Sequence, residues 1–243
     1  MIFNKEKFIS MDEYKNIHKD IEIYKEKDIN DDTVLYHYTN ADALINIIKN
    51  KQIWLSQREF MNDKYEIEYP MKKLYNDGLL KGNFQDLKWE SFLKTLFPNW
   101  DKQYIFSLSL DKDSLHQWSY YGKNDGYCIG FKKGQLKRMF ETKNISFEDG
   151  RVIYDGSVHD ILINKIIEKC NGNIMLEITD EQKRQLSEFN EENKGLFLIL
   201  VLSELKDVKY YIKTITGFMK QEVNKCEDEY RFIMDFTPLG THN

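Results

Sequence analysis

Apolar and polar positions alternate along this chain with two different periods. Residues 1 to about 30 place Phe8, Tyr14, Ile17, Ile21 and Tyr24 at roughly helical spacing among many Lys, Asp and Glu, which predicts a solvated N-terminal helical extension. Over 33–38 the period drops to two: Val34, Tyr36 and Tyr38 share one face, and Leu35 and His37 the other, as in a strand. Thr39 followed three residues later by Asp42 resembles a capping box, and Leu44, Ile47 and Ile48 then fall on one helical stripe. A short strand over 53–56, a turn at Met61-Asn62-Asp63 and a helix over about 64–77, kinked or interrupted by Pro70, are expected next. Residues 78–102 scatter Phe84, Trp89, Phe92, Phe97 and Trp100 among Gly78, Gly82 and Pro98 and read as helical connections.

The second half repeats the alternation. Over 104–110, Tyr104, Phe106, Leu108 and Leu110 make an apolar face, while Ser107 and Ser109 share the reverse with Ile105. A short helix capped near Asp113 or Ser114 carries Leu115, Trp118 and Tyr121 at three-residue intervals and stops at Gly122. Asn124-Asp125-Gly126 turns into a strand over 127–131, and 152–154 is another short strand. Residues of about 158–216 have mostly helical spacing and read as an insertion. The last element, over 227–236, sets Tyr230, Phe232 and Met234 on one face and Glu227, Glu229 and Arg231 on the other. Strands and helices thus mix without a regular βαβ alternation, and an α+β class is expected, with residues 1–30 as the extension and 31–243 as a single domain.

Composition narrows the function. Of 243 residues 41% are hydrophobic and 14% aromatic, enough for a well-filled core. The formal charge of -5 gives no broad positive field for nucleic acid, although Lys209, Lys213, Lys220 and Lys225 could form a local basic stripe. The three cysteines, Cys128, Cys170 and Cys226, are odd in number and far apart, which argues against a disulfide framework and a four-thiolate zinc site. The longest apolar run, over 196–202, is far below the roughly 20 residues of a membrane span, and the N-terminus lacks the order of a secretory signal. A cytoplasmic protein with no membrane partner is the expectation. Phosphate-binding glycine loops, dinucleotide fingerprints, His-Glu-x-x-His and Gly-x-Ser-x-Gly are all missing, which disfavours kinases, NTPases, zincins and α/β-hydrolases.

Three strands remain as carriers of chemistry, each with a polar set on one side: His37, Ser107 with Ser109, and Glu227 with Glu229 and Arg231. As neighbours in one sheet they would line one cleft. Each also has a plain structural reading. A strand His is commonly structural, serines alternate with aliphatics on half-buried faces, Glu and Arg alternate in solvated cross-strand pairs, and Trp118 and Tyr121 at helical spacing are commonly core.

The order of short motifs adds a resemblance. Leu35-Tyr36-His37-Tyr38-Thr39, Phe60-Met61-Asn62-Asp63, Phe106-Ser107-Leu108-Ser109, Gln117-Trp118-Ser119-Tyr120-Tyr121-Gly122, Gly126-Tyr127-Cys128-Ile129-Gly130-Phe131, Val152-Ile153-Tyr154 and Glu227-Asp228-Glu229-Tyr230-Arg231 resemble the bacterial family catalogued as domain of unknown function 2971, over about 33–236. The layout is also similar to that of ADP-ribosyltransferases. That likeness implies a compact core of two small sheets with flanking helices and a helical insertion, NAD as substrate, no metal, and a macromolecular acceptor, nucleic acid or protein, with phage defence or a toxin system as the setting. Carried over by position, Glu229 would be the catalytic carboxylate, with Glu227 beside it to orient the acceptor. His37 would contact ribose, Ser107 and Ser109 would support the cleft floor and Tyr121 would stack on nicotinamide, with Tyr38, Thr39, Trp118 and Arg231 as further cofactor-binding residues. Cleavage of the nicotinamide–ribose bond passes through an oxocarbenium-like state, which a carboxylate stabilises without a metal. Two rivals make other demands: a magnesium nuclease built on Asp63, Glu66, Glu227 and Glu229, and a non-catalytic nucleotide-sensing module.

Overall fold

The computed structural model describes residues 29–61, 65–74, 103–122, 125–143, 145, 147–174 and 215–235. The expected N-terminal helix, Asn62-Asp63, the 78–102 connections and most of the helical insertion lie outside the described residues. The chain divides into two compact units, Met1–Tyr24 with Tyr65–Trp100 and Asp155–Gly217, and Lys25–Lys64 with Asp101–Tyr154 and Phe218–Asn243.

The second unit holds the sheet. Its strands are β1 (Val34–Asn40), β2 (Ser56–Gln57), β3 (Gln103–Ser109), β4 (Gly126–Lys132), β5 (Phe147–Arg151) and β6 (Glu229–Asp235). They form one open antiparallel sheet in the order β4-β1-β3-β6-β5, with β2 beside β3. The α+β class is borne out, while the described strands join in one sheet where two were expected.

The seams of this sheet are unequal. β1 pairs with β4 from Val34 opposite Lys132 to Asn40 opposite Gly126, and β3 pairs with β6 from Gln103 opposite Asp235 to Ser109 opposite Glu229. Between β1 and β3 the register holds at one position, Tyr36 opposite Ser109. Farther along the same edge of β3, Ser56 and Gln57 of β2 pair with Ile105 and Tyr104. β1 therefore leaves β3 soon after Tyr36.

The register explains the core. Phe106 faces Phe232, Leu108 faces Tyr230 and Tyr104 faces Met234, so one side of β3 and β6 is continuously apolar. Helix α4 (Lys133–Thr142) covers it with Leu136 and Phe140, and Phe140, Phe147 and Phe232 meet with ring centroids 5.4–5.7 Å apart. On the reverse side Ile105 and Ile233 pack with Phe218. Both faces of these central strands are buried, which the expected half-exposed alternation does not include.

Several local elements depart from expectation. Helix α1 (Ala41–Asn50) is capped by Asn40, whose Oδ1 accepts from the Ala43 amide at 2.9 Å, and Thr39 instead remains in β1. The second strand falls at Ser56–Gln57, not 53–56, and α4 and β5 had no expectation at all, because β5 carries the sequence Phe-Glu-Asp-Gly-Arg with no clean period. Only Ile153 of the expected 152–154 strand makes a bridge, parallel to Met219. After the single turn α3 (Leu115–Gln117), capped by Ser114, the chain widens into a π-helical turn, Trp118–Gly122. Such turns recur at functional sites. Gly122 is required there, since a Cβ would stand 2.7 Å from the Trp118 ring.

In the first unit, α2 (Tyr65–Leu74) continues through Pro70, where a kink or an interruption was expected. The Tyr69 hydroxyl reaches Nδ1 of the fully buried His159, on α5 (Gly156–Ile174), at 3.0 Å, and Lys73 pairs with Asp160. No helix among the described residues is long and apolar enough to cross a membrane.

Candidate functional site

The sheet brings part of the expected set together around a lysine that had been assigned to the surface. Cross-strand pairing places Ser107 opposite Arg231 and Ser109 opposite Glu229, so these four side chains share one face. Glu229 is 4% exposed and Arg231 1%. Arg231 donates through Nε to Oε1 of Glu229 at 2.7 Å and through a terminal nitrogen to Oε2 at 2.8 Å, a two-pronged pair within one strand. Lys220, itself 4% exposed, sets its ammonium 2.6 Å from Oε2 of Glu227 and 3.4 Å from Oε2 of Glu229. Lys220 is thus no part of a basic surface stripe; Lys209 and Lys213 lie outside the described residues, and Lys225 is exposed.

Glu227 reaches this cluster by a route that strand alternation does not foresee. It ends a 3₁₀ helix, Glu222–Glu227, and β6 starts only at Glu229. Between them Asp228 takes a left-handed conformation with φ of 42°, uncommon for a residue with a side chain and best tolerated by Asn and Asp. Three contacts fix it: its carbonyl accepts from the Leu110 amide at 2.8 Å, its amide donates to the Lys225 carbonyl at 3.2 Å, and its carboxylate pairs with Arg151. The Glu227 carbonyl is also held, accepting from Ser109 Oγ at 2.9 Å and Gln117 Nε2 at 3.3 Å. Ser109 is therefore engaged with backbone and is no bare cleft-floor hydroxyl.

The electrostatics follow from burial and partners. Burial alone would push the Glu229 carboxyl up, but the Arg231 guanidinium and the Lys220 ammonium overcome it and hold the group ionised below the usual carboxylate range. Ser107 lies near enough to Glu229 to contribute to this lowering, yet its buried Oγ completes no hydrogen bond of regular geometry. Tyr154 accepts from the Glu229 amide at 3.1 Å, and burial together with the Glu229 charge pushes its phenol well up. With two cations against two carboxylates the cluster is neutral.

The remaining expected residues fall into two other places. His37 lies on the opposite face from Ser107, Ser109, Glu229 and Arg231, because the register that pairs Tyr36 with Ser109 puts Tyr36 and Tyr38 on that face instead. Its ring is 5.4 Å from Phe106, beside the apolar core, and hydrogen-bonds the Ser107 backbone where β1 leaves β3. Burial lowers its pKa more than this hydrogen bond raises it, so the neutral ring is favoured. Tyr38 is committed to a loop: its hydroxyl donates to the Asp111 carbonyl at 2.7 Å and accepts from the Ser114 amide at 2.9 Å, and burial pushes the phenol up to about 12. Trp118 stands edge-on to Tyr38 at 4.8 Å and donates Nε1 to Asp113 at 2.9 Å. Thr39 is buried, and Tyr121, at 44% exposure, is the most open of the expected set.

Lys220 and Tyr154 were missed as partners of the carboxylates. The available signal for Lys220 was a lone cation following Phe218-Met219, two residues that are both buried. Among the described residues no group of three or more His, Cys, Asp and Glu side chains is placed to hold a metal ion; Asp63 and the side chain of Glu66 lie outside them.

These features define an α+β protein whose central strands carry an apolar core on one side and a buried ionic cluster on the other. Residues 117–232 match the model of the family described as Protein of unknown function (DUF2971), the family that the order of the motifs resembles. No curated protein matches the chain, and no solved structure does.

Proposed function

We propose that the sheet unit binds NAD along the parting between β1 and β3 and releases nicotinamide there, as an ADP-ribosyltransferase-like enzyme. The observation that supports this reading is the pair of carboxylates, Glu227 and Glu229, gathered with Lys220 and Arg231 by the end of β3, where β1 meets that strand at a single point; His37 stands on the other face of the sheet and takes no part. A carboxylate facing the ribose suits an oxocarbenium-like transition state, because its negative charge opposes the positive charge that develops there.

In this reading the two carboxylates have different work. Both Glu229 oxygens are occupied by Arg231 and Lys220, which makes Glu229 a positioning residue. Glu227, with an 18% exposed side chain, is the one that meets substrate. The acceptor is a macromolecule, nucleic acid or protein.

The test incubates the protein with labelled NAD and a cell extract separated into protein, RNA and DNA. Wild type should release nicotinamide and label one fraction, and Glu227→Gln should lose both while remaining folded by circular dichroism. No nicotinamide release by folded wild type with any fraction overturns the reading, and chelator-sensitive cleavage of nucleic acid in its place would favour the nuclease.

A further inference from the structure

Strand β5 ends beside the carboxylates. Its pairing with β6 sets Arg151 opposite Tyr230, and the Val152 amide carries the ladder one residue further by donating to the Glu229 carbonyl at 2.8 Å. From this fixed place the Arg151 guanidinium reaches diagonally across the ladder to the Asp228 carboxylate. Asp228, with φ of 42° and ψ of 57°, joins the 3₁₀ helix Glu222–Glu227 to β6. A glycine takes that conformation without help, whereas a residue with a Cβ has to be held in it. With side chains 30% and 33% exposed, the pair adds little to stability merely as two opposite charges. Its effect is on geometry.

We propose that Arg151 is a positioning residue for Glu227, acting through Asp228. The importance of that position rests on the reading in which Glu227 meets substrate. Lys220 takes the Glu227 carboxylate at 2.6 Å, and Ser109 and Gln117 take its carbonyl. The direction in which the carboxylate leaves the chain still depends on the peptide that follows, and Asp228 carries it. Two of the contacts that hold Asp228, from the Leu110 amide and to the Lys225 carbonyl, are backbone bonds open to any residue. The third needs a carboxylate at 228 and a cation at 151. Released from Arg151, Asp228 relaxes toward negative φ and turns the Glu227 carboxylate away from Lys220.

Two readouts test it. Hydrogen exchange at the Leu110 amide, which donates to the Asp228 carbonyl, follows the turn without NAD, and steady-state nicotinamide release follows the reaction. Arg151→Met should lower protection of that amide by about fivefold while amides elsewhere in β3 keep theirs. Its kcat should fall on the order of tenfold with KM for NAD unchanged, since a displacement of about 1 Å costs up to about 100-fold. Asp228→Ala, which leaves Arg151 nothing to hold, should repeat both losses. Asp228→Gly should keep the turn unaided, and Arg151→Met added to it should change neither readout further. Circular dichroism confirms folding of each variant. An Arg151→Met effect of equal size in the Asp228→Gly background overturns the proposal, as does full protection of Leu110 in Arg151→Met or Asp228→Ala. If wild type releases no nicotinamide while the exchange results stand as expected, the NAD reading alone falls, and Arg151 remains the residue that places Glu227.

Discussion

The two faces of β6 are equally buried and opposite in chemistry. Tyr230, Phe232 and Met234 lie against Phe140 and Phe147 in an apolar layer, whereas Glu229 and Arg231 lie in an ionic one. The apolar face stabilises the fold by removing hydrocarbon from water, at roughly 25 cal/mol per Å². The ionic face brings desolvation costs that its mutual attraction only partly offsets, and well-packed hydrophobic residues of similar volume would often hold the strand at least as well. A cluster retained at that cost suggests a role beyond stability, and this is why the candidate site is sought there and not around the equally aromatic core.

The largest effects should come from breaking either face singly. Phe232→Ala is expected to cost about 3–5 kcal/mol through lost burial and the cavity left beside the Phe140 and Phe147 rings, read from urea unfolding. Glu229→Gln should cost a similar amount, about 3–5 kcal/mol, because it leaves Arg231 buried without its counter-charge. Sequence alternation alone would put Glu229 on an open polar face, where the same change is mild. The comparison is sharpened by the double variant Glu229→Leu with Arg231→Met. Removing both charges should be less damaging than the sum of the two single losses, and strict additivity would mean that the pair is not coupled.

Acidification should produce the next effect in two steps. The folded His37 has a pKa below its ordinary 6.5, so the unfolded chain binds the proton first; its contribution is intact above pH 6.5 and is lost as pH falls below that value. Glu229 is lowered from 4.5, so its contribution is complete above pH 4.5 and is lost as pH falls further. Melting temperature followed from pH 8 to pH 3 should decline across both windows, and His37→Gln should remove the upper decline while leaving the lower. The smallest effect is reserved for an ion pair on neither face. Lys72→Ala, which breaks the exposed contact to Glu68 at 2.8 Å, should change stability by at most about 0.5 kcal/mol.

Much of the strand pattern was legible. β1, β3, β4 and β6 fall close to the expected positions because alternation reports directly which side chains share a face. β5 was not, since its charged residues are held by distant partners: Asp149 by Tyr230 and Lys133, and Arg151 by Asp228. At the site, Ser107, Ser109, Glu229 and Arg231 were legible as sets within single strands. Their mutual register, the left-handed Asp228 that turns Glu227 toward Lys220, and the placement of His37 on the other face depend on residues far apart in sequence.

The sequence by itself determined the mixed helix-and-strand class, four of the strands and the family over 117–232, because period and motif order are local properties of a chain. Only the tertiary structure decided which faces met. Shifting a strand by one residue moves all its side chains to the opposite face, and the Tyr36 and Ser109 register is fixed by packing between residues 73 apart in the chain rather than by either strand's own pattern. Burial is decided at the same level: the Glu-Tyr-Arg of β6 reads as a solvated alternation until Lys220, Tyr154 and the Ser107 strand close over it.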